Sequence, residues 1–429
     1  MKVAIYTLGC KVNQYETQAM EQELLARGHT LTEFSDEADA YIVNTCSVTA
    51  VSDQKSRQVI HGVQRKHPGA VVAVCGCYPQ THADDVRKLG VDLISGTGDR
   101  TGFIRLLEEA AAEKRQIEAI DQPFERRVFE VLPAGGLGGR TRAMLKVEDG
   151  CVNFCTYCII PYARGRVRSL PVPTAVEQTR ALAAEGYREI VVTGIEISSW
   201  GQDLKNGETL IDLLEAVCTA APAVRIRLGS LEPRTITEEF CRRAAALPNL
   251  CPQFHLSMQS GCDDTLKRMN RKYDTTRYAQ SVALLNQYFD HPAVTTDLIT
   301  GFPEETEEEF AQTLDFIRRC GFAQMHIFPY SVRPGTPAAK MRQVPKAVKE
   351  ERARQAAAVA EALHRNYLAA CVGAVYPVLF EQPKDGRYFG HAPNYMEVLV
   401  DGTDLHNQVR NVKVTGTDGA SLLGELLED

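Results

Sequence analysis

The chain has 429 residues, of which 44% are hydrophobic and 24% charged, and its formal net charge is −7. This length predicts two or three domains of about 150 residues each. The negative charge excludes a uniformly basic nucleic-acid-binding protein, and the odd count of 13 cysteines disfavours a secreted disulfide framework. No run reaches the ~18 apolar residues of a membrane span, so we expect a cytoplasmic protein.

Residues 1–117 alternate between predicted strands and helices. A strand at Val3–Leu8 precedes a helix at Glu16–Arg27. Further strands are expected at residues 41–44, 70–74 and 91–94, and further helices at residues 51–66 and 102–114. This alternation predicts a doubly wound parallel sheet.

Three cysteines follow successive strands of this predicted sheet: Cys10, Cys46 and Cys77. Ligand sites in open α/β sheets form beyond the carboxyl ends of the strands, so the three thiols could converge at one edge. Three unrelated buried cysteines would also fit, because free cysteine is often a core residue. Cys75, which ends the third strand, is assigned to the core.

Residues 118–140 form a predicted linker with a glycine-rich loop at residues 135–139. Basic side chains gather from this linker into the next region. They are Arg126, Arg127, Arg140, Arg142, Lys146, Arg164, Arg166 and Arg168. They could bind RNA phosphates or form a solvated surface.

Cys151, Cys155 and Cys158 form a dense C-x3-C-x2-C group. Thiolates are soft ligands suited to iron–sulfur clusters or zinc. A closed structural site needs four ligands, so three cysteines leave one metal position open. A zinc site completed by a distant cysteine is the alternative.

Residues 141–365 contain six predicted strands that alternate with helices. The strands are Ala143–Val147, Ile190–Thr193, Arg225–Leu228, Phe254–Met258, Val294–Ile299 and Met325–Phe328. Six such units predict a partial parallel barrel, with chemistry at the carboxyl ends of the strands. Polar residues and glycines stand at those ends, namely Gly194, Glu196, Ser230, Glu232, Gln259 and Gly301.

Residues 366–429 change to short strands with turn signals at Asp385-Gly386, Asp401-Gly402 and Asp418-Gly419. This pattern predicts a small β-barrel. The segment is rich in acids, so any RNA binding there is expected through Tyr388, Phe389 and Tyr395 rather than through charge. A purely structural barrel is the alternative.

The cysteine group resembles the signature of the radical S-adenosylmethionine (SAM) enzymes, C-x3-C-x-aromatic-C, with Tyr157 in the aromatic position. The resemblance implies that Cys151, Cys155 and Cys158 hold a 4Fe-4S cluster whose open iron binds SAM. It further implies that Gly194 and Glu196 contact the SAM amino group, and that Ser230 and Glu232 contact its ribose. Gln259 and Gly301 are expected in the walls of the SAM site.

The segments TLGCKVNQYET at residues 7–17, NTC at 44–46 and GC at 76–77 resemble the N-terminal domain of the methylthiotransferases. In that family the three cysteines, here Cys10, Cys46 and Cys77, hold a second 4Fe-4S cluster. The C-terminal segment resembles the TRAM module, an RNA-binding barrel. The resemblance implies an N-terminal domain at residues 1–117, a radical-SAM core at 141–365 and a TRAM-like barrel at 366–429.

The family resemblance implies a radical reaction on tRNA. Cleavage of SAM yields a 5′-deoxyadenosyl radical that removes hydrogen from carbon 2 of an adenine, the second cluster supplies sulfur, and another SAM supplies the methyl group. Residues 9–17 resemble the branch that acts on N6-threonylcarbamoyladenosine beside the anticodon of tRNAs reading A-starting codons. The expected partners are a tRNA anticodon loop and an electron donor such as flavodoxin or ferredoxin, and the protein is expected to be a monomer.

Three alternatives remain open at this point. The substrate could be isopentenyladenosine in tRNA or an aspartate of a ribosomal protein, as in two other branches of the family. The chain could also be a non-catalytic RNA-binding protein that holds zinc or an iron–sulfur cluster.

Overall fold

The structure is a computed structural model that describes residues 1–136, 140–384 and 386–428. Residues 137–139 of the predicted glycine-rich loop, Asp385 of a predicted turn and Asp429 lie outside the described residues.

The first unit is a six-stranded parallel sheet with the order β2-β1-β3-β4-β5-β6. Its strands are β1 (Lys2–Thr7), β2 (Thr30–Thr32), β3 (Ala40–Thr45), β4 (Val71–Gly76), β5 (Leu93–Ser95) and β6 (Ile117–Ala119). Its helices are α1 (Lys11–Ala26), α2 (Ala50–Lys66), α3 (Cys77–Thr81), α4 (Ala83–Arg87) and α5 (Arg100–Glu113). The sheet is buried on both faces, because α1 and α5 pack on one face and α2 on the other.

Helix α1 begins at Lys11, five residues before the predicted start at Glu16. Cys10 is the residue that precedes the helix, in extended conformation. The apolar pattern begins late because polar side chains of the first turns, Asn13, Glu16 and Thr17, are buried. Most of their partners lie far along the chain, since Asn44 of β3 bonds Asn13 and Thr17, and Arg164 pairs with Glu16, so the sequence pattern alone could not locate this start.

The central unit is an open barrel of parallel strands. Its strands are β7 (Arg142–Lys146), β8 (Glu148–Asp149), β9 (Arg168–Ser169), β10 (Glu189–Thr193), β11 (Arg225–Leu228), β12 (Ser230–Leu231), β13 (Gln253–Leu256), β14 (Ala293–Thr300) and β15 (Gln324–Pro329). Its helices are α6 (Ile160–Arg164), α7 (Val172–Ala184), α8 (Leu210–Ala220), α9 (Glu238–Ala245), α10 (Asp263–Arg268), α11 (Thr275–Tyr288), α12 (Glu307–Cys320) and α13 (Lys346–Ala370). The strands run in the orders β7-β10-β11 and β12-β13-β14-β15, and β8 pairs with β9 as a short antiparallel hairpin.

Side chains alternate across the barrel wall, as the strand period requires. On β7, Ala143 and Leu145 join the largest apolar core, which the surrounding helices complete. Arg142 and Met144 line a cavity on the opposite face. The barrel is open between β7 and β15, and helix α1 of the first unit packs along β7. The first unit therefore covers this side of the barrel.

The last unit is a closed five-stranded barrel with the order β16-β17-β18-β20-β19. Its strands are β16 (Val375–Lys384), β17 (Arg387–His391), β18 (Glu397–Val400), β19 (Val409–Thr417) and β20 (Leu422–Leu426). The predicted fold class is thus confirmed for all three units. The predicted boundary at residue 366 lies inside α13, so we propose that the last unit begins after this helix.

The last unit is docked on the inner face of the central barrel through Tyr395. The guanidinium carbon of Arg227 lies 4.6 Å from the Tyr395 ring centroid, and that of Arg142 lies 5.3 Å from it. Arg227 also donates to the carbonyl of Pro393 at 2.8 Å and forms a two-pronged pair with the buried Glu189. The expectation that Tyr395 binds RNA is corrected, because this ring is held between units.

Within the described residues, we find no helix with the length and apolar character needed to cross a bilayer.

Candidate functional site

The loop of Cys151, Cys155 and Cys158 lies after β7, between the paired strands β8 and β9, at the carboxyl end of the barrel. Main-chain bonds fix its shape: the Cys151 N–H donates to the Gly165 carbonyl at 2.9 Å, and the Cys158 N–H donates to the Cys155 carbonyl at 3.0 Å. The Arg271 guanidinium lies 3.1 Å from the Cys155 sulfur. These contacts with the barrel therefore position the loop.

These thiols fit a metal cluster. Burial, together with the charge of the nearby Cys155, raises the pKa of the Cys158 thiol to about 12. Burial also raises the pKa of Cys151, with contributions from both other cysteines. Buried thiols of high pKa become thiolates when a metal neutralises their charge.

A second group of cysteines meets at the carboxyl edge of the first sheet. Cys10 follows β1, Cys46 follows β3, and Cys77 begins α3 directly after β4. Burial raises the pKa of Cys77 to about 12; Arg164 opposes this rise, and the charges of Cys46 and Cys10 add to it. The three predicted thiols are thus neighbours, whereas Cys75 lies in the apolar core of this sheet.

Gly9 allows this approach. Its φ is +115°, and a Cβ built there would lie 2.9 Å from the Cys46 Cβ. Any larger residue would push Cys10 and Cys46 apart. Within the described residues, no group of three His, Cys, Asp or Glu side chains has the compact arrangement needed to hold a single metal ion. A 4Fe-4S cluster has a different requirement, because each cysteine binds a different iron.

A buried ion network joins the two cysteine groups. Glu16 of α1 is 1% exposed and pairs with Arg164 of α6, with Arg100 at 3.0 Å and with Lys146 at 3.3 Å. Burial alone would raise the pKa of Glu16, but the charges of Arg164, Arg100 and Lys146 lower it to about 2. Helix α1 begins after Cys10 and α6 follows Cys158, so this network fixes one loop relative to the other.

Asp149 extends the same network. Its carboxylate lies 2.8 Å from the Lys146 ammonium and 3.2 Å from the Arg168 guanidinium. Arg164 and Arg168 are both buried. Their predicted role in phosphate binding is therefore corrected, because their charges are used inside the protein.

The segment after the last strand of the barrel is tied to the Cys46 loop, while the first strand contacts α1. Arg333, which follows β15, donates to the Ser47 hydroxyl at 2.8 Å and lies 2.6 Å from the Asp53 carboxylate. The Ala50 N–H donates to the Ser331 hydroxyl at 3.0 Å. Both open edges of the barrel are thus attached to the unit that carries the second cysteine group.

A cavity of about 890 Å³ begins beside the first cysteine loop and is lined by Asn153, Glu196 and Glu232. The Asn153 amide donates to the Glu196 carboxylate at 3.3 Å. The Glu232 N–H donates to the Ser198 hydroxyl at 2.8 Å, and its carboxylate accepts from Arg234. Two of the predicted SAM contacts, Glu196 and Glu232, therefore line one cavity.

The other predicted SAM residues are distributed differently. Ser230 is exposed at the start of β12, and Gln259 adopts a positive φ of 66° next to β14. Gly301 packs against Lys349 of α13 and does not line this cavity. Tyr157 packs edge-on against the buried Phe302, at 6.4 Å between ring centroids, and this contact anchors the cysteine loop to the protein core.

Glu148 is a site residue that the sequence reasoning missed. It is fully buried, burial raises its pKa well above the ordinary value, and its carboxyl accepts from the Glu196 N–H at 2.7 Å. Gly194 packs so tightly on it that a Cβ would lie 2.8 Å from the Glu148 carbonyl oxygen. Glu148 thus positions the 194–196 segment. Its position three residues before Cys151 is the sequence feature that could have identified it as a site residue.

The predicted RNA-binding arginines differ in their exposure. Arg127, Arg140 and Arg166 are exposed. Arg126 is paired with Asp121, and Arg142 lies 2.7 Å from Glu381. Two further members of the predicted set, Arg164 and Arg168, are the buried residues described above.

An aromatic group that the sequence reasoning did not identify lies beside the exposed Arg127, whose guanidinium donates to the Phe124 carbonyl at 2.7 Å. Phe124 and Phe154 are parallel, with ring centroids 6.1 Å apart, and Tyr162 meets Phe154 edge-on at 5.9 Å. Phe154 is 40% exposed and Tyr162 is 42% exposed. We call Phe124, Phe154 and Tyr162 the aromatic platform. It lies directly over the first cysteine loop.

Comparison with known proteins agrees with this geometry. The Radical SAM superfamily matches residues 145–317, and the Uncharacterized protein family UPF0004 matches residues 2–96. The threonylcarbamoyladenosine tRNA methylthiotransferase MtaB of Bacillus subtilis (strain 168) is 39% identical over 421 residues, which cover 96% of this chain and 93% of that protein. The chain belongs to the radical-SAM methylthiotransferase family.

A second methylthiotransferase shows similar coverage. The tRNA-2-methylthio-N(6)-dimethylallyladenosine synthase of Bacteroides thetaiotaomicron (strain ATCC 29148) is 33% identical, over 99% of this chain and 96% of that protein. Among solved structures, the radical SAM methyltransferase TsrM from Kitasatospora setae has a TM-score of 0.58 over 89% of this chain and 79% of that chain, at 14% identity. That likeness shows the fold alone.

Membership of the methylthiotransferase family confirms the predicted enzyme class. The protein is a transferase of sulfur-containing groups that uses SAM and a 4Fe-4S cluster. Three cysteines on one preformed loop of the barrel fit this requirement.

Proposed function

We propose that this methylthiotransferase modifies carbon 2 of N6-threonylcarbamoyladenosine, beside the anticodon of tRNAs that read A-starting codons. The observation that carries the proposal is the 39% identity to a threonylcarbamoyladenosine tRNA methylthiotransferase across 96% of the chain. The identity to a dimethylallyladenosine synthase is 33%. The segment at residues 9–17 supports the same substrate.

We assign the SAM-cleaving cluster to Cys151, Cys155 and Cys158, and a second 4Fe-4S cluster to Cys10, Cys46 and Cys77. When bound, these groups would supply the electron for SAM cleavage and the sulfur for transfer. The chain's own contribution is to hold the two cysteine loops in fixed relation through Glu16 and its cationic partners. Burial of this network excludes water from the contact between the units.

We assign SAM binding to the cavity lined by Asn153, Glu196 and Glu232. A carboxylate such as Glu196 is suited to the SAM ammonium group, and Glu232 is suited to ribose hydroxyls. Glu148 holds the Glu196 main chain and so fixes the direction of its side chain. The protein thereby orients SAM, and SAM itself supplies the chemistry.

We assign the approach of RNA to the aromatic platform with Arg127 and Arg166. Unpaired bases of an RNA loop stack on aromatic rings, and exposed guanidinium groups bind the backbone phosphates. Both kinds of side chain lie beside the first cysteine loop, where the target base must enter.

Nucleoside mass spectrometry of a strain that lacks the gene tests the proposed substrate. We expect the 2-methylthio derivative of N6-threonylcarbamoyladenosine to disappear while its precursor persists. Loss of the 2-methylthio form of isopentenyladenosine instead would identify the alternative tRNA substrate. A change in the intact mass of the small-subunit ribosomal protein would identify the aspartate-modifying alternative.

Metal analysis tests the proposed cofactors. After anaerobic reconstitution, we expect about eight irons per chain, as two 4Fe-4S clusters require. Stoichiometric zinc in place of iron would refute the enzyme mechanism. We further propose that flavodoxin or ferredoxin is the electron donor and that the protein acts as a monomer, which reconstitution with each donor and light scattering would test.

A further inference from the structure

The structure contains a second cavity, of about 500 Å³, between all three units of the fold. We call it the basic cavity. It is lined by the first turns of α1, by the inner faces of β7, β10 and β11, and by the C-terminal barrel. Its charged lining residues are Lys11, Arg140, Arg142, Arg227 and Glu381. Four cations and one carboxylate make it a site for an anion.

Two of these four cations, Arg227 and Arg142, already have partners. Arg227 is bound by Glu189 at 2.9 Å through two of its nitrogens. Arg142 is paired with Glu381 at 2.7 Å. Lys11, in contrast, makes no hydrogen bond or ion pair with any residue in the described part of the chain. Its ammonium group is therefore available to a ligand.

Lys11 is also well placed relative to the proposed clusters. It directly follows Cys10, and its partly solvent-exposed side chain lines the basic cavity. Because Cys10 belongs to the proposed sulfur-donor group, we expect an anion bound by Lys11 to be attached to the target base. A side group on the base that carries an anion meets this condition.

We infer that Lys11 binds the carboxylate of the N6-threonylcarbamoyl group and so determines the substrate branch. This inference rests on the proposed function and specifies one residue of its substrate site. The threonylcarbamoyl group carries one carboxylate, whereas an isopentenyl group is apolar. An apolar group in the basic cavity would leave the Lys11 charge without a partner, and so it would be disfavoured.

The test compares two synthetic anticodon stem-loop RNAs, one with the free threonylcarbamoyl carboxylate and one with its methyl ester. The holoenzyme should methylthiolate the free acid with a kcat/KM on the order of 10- to 100-fold above that of the ester, the effect of one charge-assisted hydrogen bond. In the Lys11→Met variant, kcat/KM should fall for the free-acid RNA and stay the same for the ester RNA, so that the preference is lost. The Lys11→Arg variant, which keeps the positive charge, should retain most of the preference.

Two controls keep the inference separate from the proposed function. Lys55→Met makes the same change at an exposed position of α2 in the same unit, and should keep the full preference. Iron content and SAM cleavage without RNA report whether the clusters of Lys11→Met are intact. Absence of any methylthiolation of the free-acid RNA by the unaltered enzyme would refute the proposed substrate itself.

The inference is overturned if the unaltered enzyme uses acid and ester equally. It is also overturned if Lys11→Met lowers the rates on both RNAs by the same factor, which would indicate a phosphate contact or support of the cluster. The comparison of the two RNAs with the unaltered enzyme needs no variant, so the inference stays testable if Lys11→Met does not fold.

Discussion

At the scale of single residues, the six proposed cluster ligands form two groups of three cysteines with different proposed functions. Both groups are held by buried side chains and main-chain bonds, and each lies at the carboxyl end of its own parallel sheet. The two duties conflict, since one group must leave an iron open for SAM while the other must present sulfur. Substitutions in the two groups should therefore have different effects.

We predict that Cys155→Ala abolishes SAM cleavage, whereas Cys46→Ala keeps cleavage and stops sulfur insertion. The reason is that only the first group would bind the SAM that is cleaved. Release of 5′-deoxyadenosine and formation of methylthiolated RNA, measured in parallel, check this. As a control, Cys218→Ala in the apolar core should leave the yields of 5′-deoxyadenosine and of methylthiolated RNA unchanged. Equal loss of cleavage in Cys155→Ala and Cys46→Ala would contradict the division of duties.

Glu16 is the residue on which the contact between the first two units depends. We predict that Glu16→Gln lowers the free energy of unfolding by about 3–5 kcal/mol, because it leaves Arg100, Arg164 and Lys146 buried without their shared anion. Glu23→Gln changes a partly exposed pair on the same helix and should cost less than about 1 kcal/mol. Urea unfolding followed by the single, buried Trp200 measures both. An equal loss of unfolding free energy in Glu16→Gln and Glu23→Gln would show that the buried network adds no more stability than an exposed ion pair.

The pH dependence of stability follows from the same carboxylate. The pKa of Glu16 is lowered from 4.5 to about 2 in the folded protein. Its contribution is therefore complete above about pH 4.5 and is lost as the pH falls toward 2. The difference in unfolding midpoint between the unaltered protein and Glu16→Gln should be constant from pH 7 to 5 and shrink from pH 4.5 to 3. A difference that grows on acidification would contradict this assignment.

At the scale of elements, the loop before α6 and the helix itself connect the first cysteine group to the surface. Phe154 belongs to the cysteine loop, Tyr162 belongs to α6, and the 3₁₀ turn Pro123–Glu125 brings Phe124 beside them. Three short elements thus create an exposed aromatic surface that none of them has alone. An RNA loop that stacks here is brought next to the proposed radical site.

We predict that Tyr162→Ala weakens binding of an anticodon stem-loop RNA by about 1–3 kcal/mol, the contribution of stacking one base. Arg127→Ala and Arg166→Ala should each lower the slope of log K against log salt concentration by about one. Fluorescence anisotropy over a range of salt concentrations measures both effects. The controls are Tyr288→Ala on α11 and Arg65→Ala on α2, which lie on other elements. If these controls weaken binding as much, the platform is not the RNA surface.

At the scale of the whole molecule, the three units form one closed arrangement around the barrel. The first unit covers the open side, through α1 on β7 and through Arg333 after β15. The last unit is held by Tyr395 on Arg227 and Arg142. The basic cavity exists only because all three units contribute to its walls. Loosening the last unit should therefore change the cavity without changing the cysteine loops, which belong to the other two units.

We predict that Tyr395→Ala increases amide hydrogen exchange in β17 and β18, because two cation–π contacts that hold the last unit are lost. The opening free energy should fall by about 1–3 kcal/mol, and SAM cleavage without RNA should stay unchanged. Exchange followed by mass spectrometry measures this, with Arg387→Ala on the exposed side of β17 as the control. Unchanged protection in Tyr395→Ala would show that other contacts hold the last unit.

The sequence by itself determined the three units and both cysteine groups. Alternating strand and helix patterns are local, and they predicted the parallel sheet, the partial barrel and the small closed barrel within a few residues of the observed bounds. Cysteines that follow successive parallel strands can meet at one edge, so the chain order allowed their convergence, and the family resemblance favoured it over unrelated core cysteines. The late predicted start of α1 was wrong because its buried polar residues find most of their partners far along the chain.

Only the tertiary structure decided which charged and aromatic residues are exposed to solvent, which are buried and paired within the protein, and which line a cavity. Arg164 and Arg166 stand two residues apart, yet one is buried against Glu16 and the other is exposed. Tyr395 was predicted on the RNA surface and lies instead against Arg227, more than 160 residues away in sequence. The physical reason is that burial of a charge depends on partners from other units, and no local pattern contains them. The same holds for Lys11, whose sequence position beside Cys10 became informative only when the cavity around it was seen.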